Sequence, residues 1–201
     1  MPVADLHAAA LRLEDEFGLA SMDGGRHEAF GTSNRIVPLG DAYLEMVGVT
    51  EPEVATATPF GRWVAAVADR GGLAAYALST PDVDAVARRL PGTVVIPGER
   101  HRPDGTVLRW RLAGLETALA EPVLPFFITW DIPTGAHPSQ DGVAHRAGIR
   151  GIERLEVAGD EERLLTWLET DPAELGLHVI PGPPEVRSLT VSTDVGRLVI
   201  A

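Results

Sequence analysis

GTSNRIVPLG at residues 31–40 and GTVLRWRLAG at residues 105–114 are the two stretches on which the fold turns. Aligned without a gap, Gly31 meets Gly105, Thr32 meets Thr106, Arg35 meets Arg109 and Gly40 meets Gly114. Upstream, VADLHAAALRL (3–13) lies over TPDVDAVARRL (80–90) at nearly the same offset, where Asp5/Asp82, Ala8/Ala85, Ala10/Ala87, Arg12/Arg89 and Leu13/Leu90 coincide. Glycine and alanine match easily by chance. Two matches in the same order at nearly the same spacing do so less easily, so the chain reads as a duplication with a repeat of roughly 75 residues.

The predicted elements follow the same repeat. Leu6, Ala9, Ala10, Leu13 and Phe17 recur at helical spacing behind Asp5, with Gly18 as a stop, and Val83, Val86, Ala87 and Leu90 repeat the pattern behind Asp82. β-prone runs come after each helix: 34–39 and 42–48 in the first half, then 93–96, 106–112 and 124–130 in the second, with Pro103–Gly105 as a hairpin turn. Residues 59–71 read as a linking helix, and Gly24–Gly31, which carries Arg26 and His27, reads as a turn. A strand-like run at 73–79 leads into the second helix, whereas only Met1 and Pro2 stand in the matching place before the first. The opening strand of the first unit is therefore expected to be absent, and a tail strand or a second copy of the chain to cover the bared edge. The tail offers strand 152–157, a helix from Asp160, and strands 186–192 and 195–200, a degenerate third unit. The chain divides at 1–58, 59–139 and 140–201.

Composition narrows the function classes. Apolar residues make up 45% and charged residues 23% of the 201, which predicts a packed core. A formal charge of -12 opposes nucleic-acid backbones. No apolar run is long enough to cross a bilayer, and the first residues lack a signal-type stretch, so a cytoplasmic protein with no membrane partner is expected. With no cysteine there is no disulfide, thiolate site or thiol nucleophile. GxSxG, HExxH, Walker and GxGxxG motifs are missing as well.

GGRHEAFGTSNRIVPLGDAYLEMVGV (24–49), ERHRPDGTVLRWRLAG (99–114) and LPFFITWDIPTGAHPS (124–139) resemble the glyoxalase-like domain family of the vicinal oxygen chelate superfamily, over roughly residues 3–139. The resemblance implies an α+β fold of tandem βαβββ modules, of the glyoxalase/bleomycin-resistance/dioxygenase type, whose curved sheets pack edge to edge around a trough. In metal-dependent members a divalent ion in the trough acts as a Lewis acid, its ligands drawn from the first and last strand of each module. By that resemblance Glu45 occupies a carboxylate position. The others fall near Ala75 or Tyr76, at Phe127, and in the missing first strand. One carboxylate is short of the three protein ligands a catalytic site needs. No cofactor is firmly implied, although a divalent metal at Glu45 is still open, with His27 and His137 as substitutes. A hydrogen bond from Glu45 to an arginine or a substrate, or plain exposure, are the other readings.

Arg100, His101, Arg102, Arg109 and Arg111 form a basic cluster in an acidic chain. Arg109 and Arg111 share one strand face and Leu108, Trp110 and Leu112 the other. If the apolar face packs on helices, the two arginines look into the trough and stabilise charge beside Glu45, which makes these three the catalytic candidates. Pairing with surplus carboxylates such as Glu45 or Asp131 is the plainer alternative. His27, Asn34, Tyr43, Phe127 and Trp130 are the candidates for contacting a substrate, against ordinary core roles for the aromatics. The expected function is binding of a small polar or anionic metabolite, with lyase, isomerase or ring-opening dioxygenase chemistry, by a protein that forms a homodimer. A non-catalytic binder of the drug-resistance type is the alternative. Glyoxalase I activity is not expected, because a fold does not transfer its chemistry.

Overall fold

In the computed structural model, which describes residues 1–201, Asp5 accepts hydrogen bonds from the amides of His7 and Ala8 and so starts α1 (Leu6–Phe17). Gly18, at φ +67°, ends it in a left-handed cap that few other residues adopt cheaply. Ala9, Ala10 and Leu13 are its buried stripe. Three antiparallel strands follow: β1 (Met22–His27), β2 (Thr32–Pro38) and β3 (Tyr43–Val49). Helices α2 (Pro52–Ala57) and α3 (Pro59–Val67) link the halves. The second half repeats the first as β4 (Ala77–Ser79), α4 (Val83–Arg89), β5 (Ile96–His101), β6 (Val107–Ala113), a short α5 (Leu115–Ala120) and β7 (Phe126–Asp131). Asp82 caps α4 through the Ala85 amide, as Asp5 caps α1.

These strands form one sheet in the order β3-β2-β1-β5-β6-β7-β4. β4 lies parallel to β7, and the two modules join where Arg26 of β1 faces His101 of β5. The palindromic order is what a duplication joined edge to edge requires. Matching positions even carry matching ion pairs: Asp23 pairs with Arg35 across β1 and β2, and Glu99 with Arg109 across β5 and β6. On the outer side of β3, Pro2 makes a parallel bridge to Val47, with Val3 N–H donating to Val47 and Val47 N–H to Met1. Met1–Val3 thus hold, as a single bridge, the place that β4 holds on β7.

The tail runs β8 (Ile149–Ala158), α6 (Glu161–Leu168), β9 (Leu177–Ile180), β10 (Glu185–Thr193) and β11 (Gly196–Ile200). The element order is that of a module, but the strand order is β11-β10-β8-β9, with β8 parallel to β9. A third copy would set its first strand beside its last; here the first strand lies between the second and third. The tail is a separate layer and lends no strand to the large sheet. It shares side-chain cores with both modules instead. Leu189, Val191 and Ile200 pack with Val3, Leu13 and Met46, and Val157, Leu164 and Trp167 pack with Val83, Val86 and Phe127.

Three strands differ from the sequence expectation: β9, which it did not include, and the two where the modules join. Gly24–Gly31 is no simple turn: Met22–His27 is a central strand, followed by a 3-10 turn at Glu28–Phe30 that Gly31 closes at φ +64°. The strand expected at 93–96 runs from Ile96 to His101. MDGGRH and IPGERH have poor strand propensity on their own, and neighbours on both sides hold them in the sheet. A bulge between Asp23 and Gly25 accommodates the glycine pair.

Candidate functional site

A cavity of about 770 Å³ is lined by the inner face of the large sheet, by α3 and α5, and by Leu155, Leu177 and Leu189 of the tail. Strand alternation decides what it contains. Leu44 and Met46 of β3 point into the core with α1, whereas Tyr43, Glu45 and Val47 line the cavity. Register then places Ile36 opposite Glu45, Asn34 opposite Val47, and His27 opposite Thr32.

The side chains at this end form one hydrogen-bonded group. Asn34 Nδ2 donates to Glu45 Oε1 at 2.5 Å and lies 3.4 Å from His27 Nε2, while His27 Nδ1 meets Thr32 Oγ1 at 3.0 Å. With Asn34 as donor, Nε2 accepts and the ring proton sits on Nδ1. His27 is buried, and burial pushes its pKa down; Glu45, 4.0 Å away, pulls it back up and Arg100 lowers it. A neutral imidazole fits that balance. The Tyr43 phenol is raised well above its ordinary value, by burial first and by Glu45 second.

Arg100 comes from β5, opposite Leu108, and is 2% exposed. Its side chain lies over Gly24 and Gly25: a Cβ on Gly24 would fall 2.9 Å from Arg100 Nη1, and one on Gly25 2.8 Å from Arg100 Cγ. Burial lowers its pKa from the ordinary value, and Glu45 is the largest influence raising it. Three buried polar atoms here have no hydrogen-bond partner: Arg100 Nε, Arg100 Nη2 and Asn34 Oδ1.

The other end is aromatic. Trp110 lies against Gly98, where a Cβ would come within 2.4 Å of Trp110 Nε1. Its ring centroid is 5.3 Å from that of Trp130 and 5.7 Å from that of His27. Phe60, Trp63 and Phe126 continue the wall. A strap, residues 132–148, crosses the cavity rim: His137 meets Tyr43 and Trp130 edge to face, Asp141 receives two hydrogen bonds from Arg102, and His145 Nε2 approaches the Pro38 carbonyl at 2.6 Å.

Of the residues singled out in the sequence, His27, Asn34, Tyr43, Glu45 and Trp130 come together on the cavity wall. Arg109, Arg111 and Phe127 do not. Arg109 pairs with Glu99 and Arg111 with Asp84 of α4, both on the outer face, and Leu108, Trp110 and Leu112 take the inner side. The apolar face of β6 does meet helices, Leu115 and Leu119 of α5 and Phe60 of α3, but these stand on the cavity side, so the arginines are turned outward rather than into the trough. Phe127 packs under α4 beside Trp167. Ile36 and Trp110 coincide in the repeat, and they face Glu45 and Trp130, so Trp130 rather than Phe127 is the counterpart of Glu45. Arg100 and Trp110 are the residues the sequence reading left out of its site. Pairing β5 with β6 across the Pro103–Gly105 turn was the signal that sets both on the inner face.

The metal expectation fails on the donor set. No three His, Cys, Asp or Glu side chains gather anywhere in the structure. Glu45 is the wall's only carboxylate beside His27, its duplicated counterpart is an indole, and a buried guanidinium already supplies positive charge there. These residues do not fit a divalent ion.

A palindromic sheet of two βαβββ modules around a shared cavity defines the vicinal oxygen chelate fold. Residues 1–182 match the family model described as a glyoxalase-like domain, and the chain belongs to that family. The crystal structure of a hypothetical protein from Staphylococcus aureus superposes with a TM-score of 0.65 at 17% identity, over 90% of this chain and 86% of that one. Methylmalonyl-CoA epimerase from Mycobacterium tuberculosis is similar with a TM-score of 0.43 at 18% identity, over 64% of this chain and 81% of that one. A variant of the Streptomyces coelicolor methylmalonyl-CoA epimerase, in complex with 2-nitronate-propionyl-CoA, gives 0.44 at 20% identity, over 64% and 89%. A search of the curated proteins found no match. No helix is long and apolar enough to cross a membrane.

Proposed function

We propose that the protein binds a small anionic metabolite in this cavity and moves a proton on it, an isomerase- or lyase-type reaction in which Glu45 is the acid/base. One observation carries the reading: the Glu45 carboxylate stands on the cavity wall, 35% exposed, with one oxygen held by Asn34 and the buried His27 and Arg100 beside it. Asn34 orients the carboxylate. A proton taken from carbon next to a carbonyl leaves negative charge on oxygen, and the Arg100 cation, fixed in a site shielded from water, stabilises that charge. The reading includes a cytoplasmic homodimer, supported by the cysteine-free acidic composition and by a β3 edge that Met1–Val3 only partly cover.

The test is exchange of α-protons for deuterium, followed by proton NMR, on a panel of small 2-oxo acids in heavy water. Wild-type protein is expected to accelerate exchange on at least one of them, and Glu45→Gln to lose at least about 100-fold of that rate while keeping its melting temperature. Equal exchange by the two proteins would overturn the role of Glu45. The aromatic wall of Trp110, Trp130 and Phe126 supports a second reading, a non-catalytic binder. That reading expects saturable binding with no exchange at all.

A further inference from the structure

The Nε and Nη2 of Arg100 form one edge of a planar guanidinium, the edge that takes a carboxylate through two parallel hydrogen bonds. Both atoms are buried without an acceptor and closed off from the empty cavity that Arg100 lines, so a ligand meets this edge as the side chain turns toward it. An unpaired cation of this kind is costly, and the glycines at 24 and 25 show that the surroundings are shaped to hold it. At Gly24 any side chain would also collide with Asn34 Oδ1, 2.1 Å from an added Cβ. No carboxylate of the chain pairs with this edge: Glu45 is held by Asn34, and Asp141 by Arg102. A ligand carboxylate supplies the acceptor that this edge lacks.

Register fixes what lies next to it. Arg100 faces Leu108, and Gly98 faces Trp110, so Arg100 and Trp110 are diagonal neighbours on the inner face. Trp130 sits directly across from Trp110. A molecule whose carboxylate is gripped by Arg100 lays its next few atoms along two indoles. We infer that Arg100 is a carboxylate-anchoring residue and that the cavity takes a monoanionic carboxylic acid with a flat apolar or aromatic body, the body lying along Trp110 and Trp130. The inference rests on the small-anion reading of the cavity given above and names its substrate class. A dianion suits the site less, because the Glu45 carboxylate lies on the same wall and repels a second charge.

Quenching of tryptophan fluorescence reads the test, with benzoate and phenylpyruvate as acids, benzamide and phenylacetamide as their uncharged counterparts, and phenyl phosphate as the dianion. With wild-type protein the acids are expected to bind at least about tenfold more tightly than the amides and than phenyl phosphate. Arg100→Met should weaken the acids by at least about thirtyfold and leave the amides where they were. Arg100→Lys, which keeps the charge and loses the fork, should fall between. Acids and amides binding alike, phenyl phosphate binding more tightly than benzoate, no saturable binding of either acid up to about 10 mM, or an Arg100→Met protein that binds acids as wild type does, would each overturn the inference. The wild-type comparison holds even if the variant does not fold. Glu45→Gln separates this inference from the catalytic reading: it should bind the acids at least as tightly as wild type, whether or not any proton is exchanged.

Discussion

His27 makes the folded state sensitive to mild acid. In the unfolded chain its imidazole titrates at its ordinary value of 6.5; in the fold, burial holds the pKa below that, against the opposing pull of Glu45. Below pH 6.5 the unfolded chain therefore binds a proton that the folded chain resists, and stability falls with pH until the folded imidazole is itself protonated. Each unit of depression withdraws about 1.4 kcal/mol. Urea titrations from about pH 7.5 down to about pH 5 should show wild-type stability declining, and His27→Gln declining less. His137 is depressed too, by burial and against Asp141, but it is present in both proteins and cancels from the difference. Parallel profiles would show that His27 is as easily protonated in the fold as outside it. At this scale much of the site was legible. Period-two alternation along YLEMV put Tyr43 and Glu45 on one face, and the structure keeps them on the cavity wall. Alternation says only that two sets of residues part company, not which set looks inward. For β6 the choice rested on the rule that apolar faces pack on helices; the rule holds, but helices cover both faces, and those that meet Trp110 and Leu112 stand on the cavity side. Arg109 and Arg111 went out with it, and Arg100, on the neighbouring strand, came in.

Among the elements, the strap over the cavity has the least regular structure and the most specific fastening. Arg102 and Asp141 bond through two contacts, of 3.1 and 2.6 Å, with side chains only 15% and 14% exposed. A pair so shielded is worth more than a surface ion pair, and removing one partner leaves the other charged and poorly hydrated. Asp141→Ala should lower stability by about 2 kcal/mol and the melting temperature by roughly 4–8 °C. The loss should be local as well as global. Limited proteolysis should cut between residues 133 and 148 faster in the variant, and amide exchange should rise there first. Unchanged cleavage of the strap would mean that His145 and the ring contacts of His137 hold it without the ion pair. The sequence marks this segment as a loop rich in Gly, Pro, Ser and His, yet its fastening joins residues far apart in the chain, which no local pattern reveals. The two seam strands were obscure for a related reason. MDGGRH and IPGERH trade strand-forming side chains for glycines that admit Arg100 and Trp110, so the residues that make the site possible erase the local signal for its strands.

The whole molecule depends on its tail. Leu164, Trp167 and Leu168 of α6 share a core with Val83 and Val86 of α4, with Leu90 just after it and with Phe127 of β7, and Ile200, at the end of β11, is buried against the first module. Trp167 is the most connected of these. It is 4% exposed, its Nε1 donates to the Pro125 carbonyl at 2.8 Å, Arg163 stacks over its ring at 5.2 Å, and a Cβ on Gly114 would come within 2.8 Å of it. Leu155, Leu177 and Leu189 of the same layer close the cavity, so the layer is tied to the modules through both their cores and their site. A layer bound in this way should not melt separately. Trp167→Ala removes a large buried side chain from the contact between tail and second module and should cost about 3–5 kcal/mol, a fall of roughly 10 °C in melting temperature. Calorimetry should still record one transition, at which far-ultraviolet ellipticity and tryptophan fluorescence change together. Two resolved transitions in the wild-type chain, with Trp167→Ala lowering only one of them, would show that residues 140–201 fold on their own account and that the shared cores contribute little to holding the cavity in shape.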